Sequence, residues 1–180
     1  KTGAPYVVSD ILRIESGRKQ VQPAQIPPPD GLYALFRREF NFQARFYRRD
    51  LLRDLGLYDR DQRNYEDWDL YIRLFERNTL YAYVPKVLYV YKIRQGSITK
   101  EKYHIKQFHY IERIYHKHYK RLADAGDNTV AKIYAEVMWR LASDYFHKSG
   151  AIFSCSKCLL EALKYDRTLL QKYLKKVLKI

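Results

Sequence analysis

The sequence predicts an α/β domain over residues 1–100 followed by an all-α tail over residues 101–180. Two observations carry this. Strand-like and helix-like segments alternate up to about Lys100, and beyond it every apolar pattern has helical spacing. Such segregation points to a mixed core with a helical appendage. The composition, 47% hydrophobic and 30% charged, is that of a folded chain.

Each element has a local reason. Tyr6 to Ile14 is rich in β-branched residues and ends at Glu15-Ser16-Gly17, so it reads as a strand running into a turn. Gln22 to Gly31 holds Pro23, Pro27, Pro28 and Pro29 and is expected to be an extended loop. A short helix over Gly31–Phe40 and a strand over Phe42–Tyr47 follow, and then a brief helix from Asp50 to Leu55, stopped by Gly56. Trp68, Tyr71, Ile72 and Phe75 fall at i, i+3, i+4 and i+7 and make one apolar helix face, with Asp69 and Arg73 paired on the opposite face. Two strands are expected near Leu80–Val84 and Val87–Ile93, separated by Pro85.

In the tail, Tyr103–Arg121 is amphipathic and Ala125-Gly126-Asp127-Asn128 reads as a loop. Thr129–Lys148 is a second helix ended by Ser149-Gly150, and shorter helices are expected at Phe153–Lys164 and Leu169–Leu178. Trp139-x-Leu141-Ala142-x-x-Tyr145 through Ala162-Leu163-x-x-Asp166 resembles one tetratricopeptide helix pair with an extra residue, a weak signal for a repeat that needs stacked neighbours.

The formal charge is +14, with 18 basic and 12 acidic residues before position 101 and 16 and 8 after it. A diffuse basic excess attracts polyanions, whether nucleic acid, anionic lipid or a diphosphate. Membrane-surface residence or solubility fits this spread better than sequence-specific nucleic-acid reading. No run approaches ~20 apolar residues, so no segment is expected to span a bilayer. The sequence starts at Lys1 rather than at a methionine, and a piece of a longer protein is expected.

Two cysteines suggest no disulfide framework and fit a reducing cytoplasm. Cys155-Ser156-Lys157-Cys158 is a lone CxxC inside an amphipathic helix, where buried structural cysteines are the better expectation than zinc ligands.

The chemistry is concentrated at Tyr65-Glu66-Asp67-Trp68-Asp69-Leu70, where three acids open the amphipathic helix. One reading is structural: Asn64 caps the helix and the acids complement its dipole. The other comes from order and spacing. Tyr47-Arg48-Arg49-Asp50-Leu51-Leu52 and Leu55-Gly56-Leu57-Tyr58-Asp59 lie upstream, and Tyr83-Val84-Pro85-Lys86-Val87-Leu88 and Tyr91-Lys92-Ile93-Arg94-Gln95-Gly96-Ser97-Ile98-Thr99 lie downstream. Over residues 5–100 this series resembles the second half of family 2 glycosyltransferases of the GT-A fold. Val7-Val8-Ser9-Asp10 is similar to the strand that follows that family's nucleotide-binding core.

The resemblance implies inverting transfer of a sugar from a nucleoside-diphosphate donor to an acceptor hydroxyl on a glycan or glycolipid. It points to surface polysaccharide synthesis in a bacterial cell envelope, in the cytoplasm or on the inner face of the membrane. An alcohol needs a carboxylate to take its proton as the new bond forms. By the resemblance Asp67 is that base and Glu66 its supporting neighbour. Trp68 is placed as a candidate sugar-stacking surface, although its position on the apolar stripe favours core packing. Lys92, Arg94 and Ser97 fall in the segment that lies over the diphosphate, where Arg94 suits a bidentate phosphate contact. A solvated basic strand end is the alternative there.

The divalent cation, manganese or magnesium, expected for the complete enzyme would be held by an Asp-x-Asp motif. No Asp-x-Asp precedes Val7, and Asp59-Arg60-Asp61 and Asp67-Trp68-Asp69 come too late in the order to be that motif, so the chain alone is expected to be inactive. The competing classes are a basic nucleic-acid-binding module, for which no helix-turn-helix, zinc-finger or RNA-binding signature is present, and a helical scaffold.

Overall fold

A computed structural model describes residues 3–26, 31–36, 45–93 and 105–171. The chain divides into two compact units, one of Lys1–Gln62 with Glu66–Glu101 and the other of Arg63–Tyr65 with Lys102–Ile180. The first is mixed α/β and the described part of the second is helical.

The first unit is organised around β1, Tyr6–Glu15. Ser16 and Gly17 both take positive φ, 49° and 81°, which is the geometry of a two-residue hairpin turn matched to strand twist. This turn returns the chain as β2, Arg18–Gln22, antiparallel to β1 from Glu15↔Arg18 to Ile11↔Gln22. The loop expected from Gln22 begins at Pro23 and is irregular over the described residues 23–26, while β2, mostly exposed and with no apolar alternation, was not expected.

Helix α1 covers Gly31–Phe36, and β3, Arg45–Tyr47, pairs antiparallel with the start of β1. The remainder of the expected Gly31–Phe40 helix and Phe42–Tyr47 strand lies outside the described residues. Helix α2, Arg49–Asp54, ends at Gly56, whose φ of 83° only glycine adopts without strain.

Helix α3, Glu66–Glu76, lays Leu70 and Leu74 against Tyr6, Val8 and Leu55. Its buried surface is wider than the expected stripe: Trp68, Asp69, Leu70, Tyr71, Ile72 and Leu74 are all buried. Asp69 and Arg73 do pair, but Asp69 is 1% exposed rather than on a solvated face.

The two strands expected around Pro85 are one, β4, Tyr81–Ile93, parallel to β1 along its whole length. Register shifts between Ser9 and Ile11 let Asp10 face Val87 and Ile11 face Tyr89. Proline cannot donate to a ladder, and a bulge absorbs it without ending the strand. At this irregularity the Asp10 carboxylate accepts from the Tyr83 hydroxyl at 2.7 Å and from the Ala24 N–H at 3.0 Å.

In the second unit α4, Ile105–Ile114, continues through a π-helical stretch, Tyr115–Lys120, into α5, Arg121–Asp124. Asp127 caps α6, Asn128–Asp144, accepting from Thr129 and Val130 N–H at 3.0 and 2.9 Å. A second π-helical stretch, Tyr145–Ser149, ends at Gly150 with φ 65°, and α7, Ile152–Tyr165, packs back on α6. A π turn takes up one residue beyond the α register, and this one lies between the halves of the tetratricopeptide-like pattern. Most of the expected Leu169–Leu178 helix lies outside the described residues.

This helical core explains much of the tyrosine content. Tyr119, Tyr134 and Tyr145 are fully buried, and buried hydroxyls need partners. The Tyr145 hydroxyl donates to Glu112 Oε2 at 3.0 Å and lies 3.1 Å from His109 Nδ1. The Tyr134 hydroxyl lies 3.1 Å from His116 Nδ1. Glu112, itself buried, also takes Lys157 Nζ at 2.8 Å and His116 Nε2 at 3.4 Å on Oε1.

Candidate active site

Glu66 and Asp67 are both exposed in the first turn of α3, directly after Tyr65 turns the chain with φ 61°. The next three residues, Trp68, Asp69 and Leu70, are buried. The two carboxylates therefore stand on a helix end that is fixed by packing one residue further on. Asp67 Oδ1 accepts from the Trp68 backbone N–H at 2.7 Å, which orients the carboxylate.

The mount is secured from below. Asp69 Oδ2 receives both Nε and Nη2 of Arg73, at 3.0 and 2.8 Å, a forked ion pair within α3. Arg73 Nη1 also donates to the Leu55 carbonyl oxygen at the end of α2. The Glu-Asp-x-Asp spacing thus divides into an exposed pair and a buried structural acid.

Two tyrosines that the sequence reading did not name as site residues, Tyr58 and Tyr71, feel the charge of the pair, and Arg45 packs on the second. Burial, then the charges of Asp67 and Glu66, push the Tyr58 hydroxyl above its usual pKa. The Tyr71 hydroxyl, one turn beyond Asp67, is pushed up by burial and then by Asp67. Arg45 Cζ sits 4.9 Å from the Tyr71 ring centroid and 5.7 Å from that of Tyr6, within cation–π range. Burial pulls the Arg45 guanidinium down, against the counter-effect of Tyr71, Tyr47 and Tyr6. Burial likewise raises Tyr6 to about 12. The available signal was the i, i+4 relation of Asp67 and Tyr71; that Arg45 reaches the same helix follows only from the β1–β3 pairing of Val8 with Arg45.

The other predicted residues are spread out. Trp68 is 7% exposed, so its ring is buried. Lys92 is exposed near the end of β4, opposite Ile14 of β1. Arg94 and Ser97 lie outside the described residues. A depression of about 580 Å³ opens at the β1–β2 hairpin, lined by Arg13, Glu15, Ser16, Arg18 and Gln20; none of these is a predicted site residue.

Among the described residues, no three His, Cys, Asp or Glu side chains gather as a metal site. Both cysteines are free, and burial pushes the Cys158 thiol up to about 12. No described helix is long and apolar enough to cross a membrane.

Compared with family models, curated proteins and solved structures, the chain matches none of them.

Proposed function

We propose that this chain is the acceptor-side, base-bearing half of an inverting glycosyltransferase of the family 2 type. In this reading Asp67 takes the proton of an acceptor hydroxyl as its oxygen bonds to the anomeric carbon of the donor sugar. The bond from that carbon to the diphosphate breaks on the opposite face, and the nucleoside diphosphate leaves. Glu66 orients the acceptor. Trp68 serves as the packed footing of the helix end, and Lys92 with Arg94 and Ser97 answers the charge of the leaving diphosphate. A divalent cation, held by residues outside this chain, would supply the remaining charge neutralisation.

The observation that carries the reading is the exposure of Glu66 and Asp67 on a helix end whose next three residues are buried. A general base must reach substrate and be held rigidly, and this arrangement meets both needs. The test is a transfer assay with nucleoside-diphosphate sugars on the natural protein that contains this chain. Transfer with inversion at the anomeric carbon supports the reading. Tight, salt-sensitive binding to RNA or DNA with no transfer at all supports the basic-module alternative instead.

A further inference from the structure

Helix α7 turns one face inward and leaves the other open. Cys158 and Ala162 are buried on the inner face, whereas Phe153 is 85% and Leu160 71% exposed on the outer one. Phe153, Ser156, Lys157, Leu160 and Lys164 follow one another at helical spacing along that outer face. Ile152, the first residue of α7, is also 68% exposed. Large aromatic and aliphatic side chains held this far into solvent mark an interaction surface more than a scattered background.

Charge selects the partner. From Phe146 to Ile180 the sequence has eight Lys or Arg and two Asp or Glu. Lys157 on this face is held by Glu112 at 2.8 Å, whereas Lys164, one turn past Leu160, and Arg167, just past the end of α7, are exposed. Apolar anchors with exposed basic residues beside them match an anionic bilayer surface: hydrocarbon beneath, phosphate above.

We propose that the outer face of α7 is an interfacial membrane-docking surface, with Phe153 and Leu160 entering the acyl boundary of an anionic leaflet and Lys164 and Arg167 contacting lipid phosphates. The proposal is independent of the transferase reading, since vesicle binding requires no catalysis.

The experiment is co-sedimentation of the full 180-residue chain with phosphatidylcholine vesicles, with and without phosphatidylglycerol. Binding roughly tenfold or more stronger to the phosphatidylglycerol vesicles is expected. The double variant Phe153→Ser, Leu160→Ser should lose roughly tenfold in partitioning at unchanged helicity, because both side chains are exposed and their loss leaves the core intact. Phe153→Trp should retain binding and show a blue-shifted emission component on vesicles that the parent lacks. Three results would each overturn the proposal: equal partitioning of parent and double variant, no emission change for Phe153→Trp, or a parent dimer in sedimentation that the double variant disperses. The last would make the face a contact between two copies of the chain.

Discussion

Asp69 and Arg73 form a forked ion pair one turn apart on α3, with Nη2 to Oδ2 at 2.8 Å and the carboxylate 1% exposed. Because Arg73 also donates to the Leu55 carbonyl oxygen, the pair joins α3 to the end of α2. The exposed acids Glu66 and Asp67 stand on the helix so anchored.

Removing one partner leaves the other charge buried. Asp69→Ala should destabilise the chain by about 3 kcal/mol, read as a lower denaturant midpoint. The double substitution Asp69→Leu with Arg73→Met should recover a large part of that loss, since no orphaned charge remains.

The helical unit carries its own acid-sensitive group. Burial raises the Glu112 carboxyl, but the hydrogen bonds from His116, Lys157 and Tyr145 outweigh it and hold the pKa at about 2. A folded pKa below the unfolded value near 4.5 contributes stability above that unfolded value and loses it as pH falls toward about 2. Glu112→Gln should therefore flatten the acid limb of the stability–pH profile between about pH 4.5 and 2. A parent profile identical to the variant's across that window would contradict the assignment.

Cys155 and Cys158 should differ sharply toward thiol reagents. Cys158 is buried, with its thiol pushed up to about 12, and Cys155 is half-buried. At neutral pH one thiol per folded chain should react, with the second appearing only on unfolding. Equal native reactivity of both would remove the structural reading of the CxxC.

Gly150 closes α6 and its π-helical extension with φ 65°, and Ala151 N–H reaches back to the Tyr145 carbonyl oxygen at 3.1 Å. A Cβ there meets nothing within 4 Å, so Gly150→Ala costs conformational strain alone. A loss of about 1 kcal/mol is expected, smaller for Gly150→Asn, measured by thermal unfolding.

The sequence announced those elements whose signals are local. Gly56 and Gly150 stop their helices because positive φ is required there, and the apolar spacing from Trp68 to Phe75 locates α3. What it hid was set by distant partners. Strand β2 has little apolar patterning of its own and exists because the Ser16-Gly17 turn folds it onto β1. Pro85 looked like a break, yet β4 bulges there and keeps its pairing with β1 on both sides. The pairing of Asp69 with Arg73 was legible in their i, i+4 spacing, but its burial was not, because the Leu55 carbonyl oxygen comes from α2. At the candidate site, Glu66 and Asp67 were visible as acids at a helix start. The approach of Arg45 and Tyr58 to that helix depends on sheet pairing and on a turn, which no local pattern specifies.

The role assigned to Asp67 is tested most directly by Asp67→Asn in the natural protein containing this chain, with sugar transfer and nucleotide-sugar binding measured separately. The account predicts that transfer falls by about 10²-fold or more, that donor affinity stays within about twofold, and that unfolding is unchanged because Asp67 is exposed. Turnover equal to the parent's would contradict it.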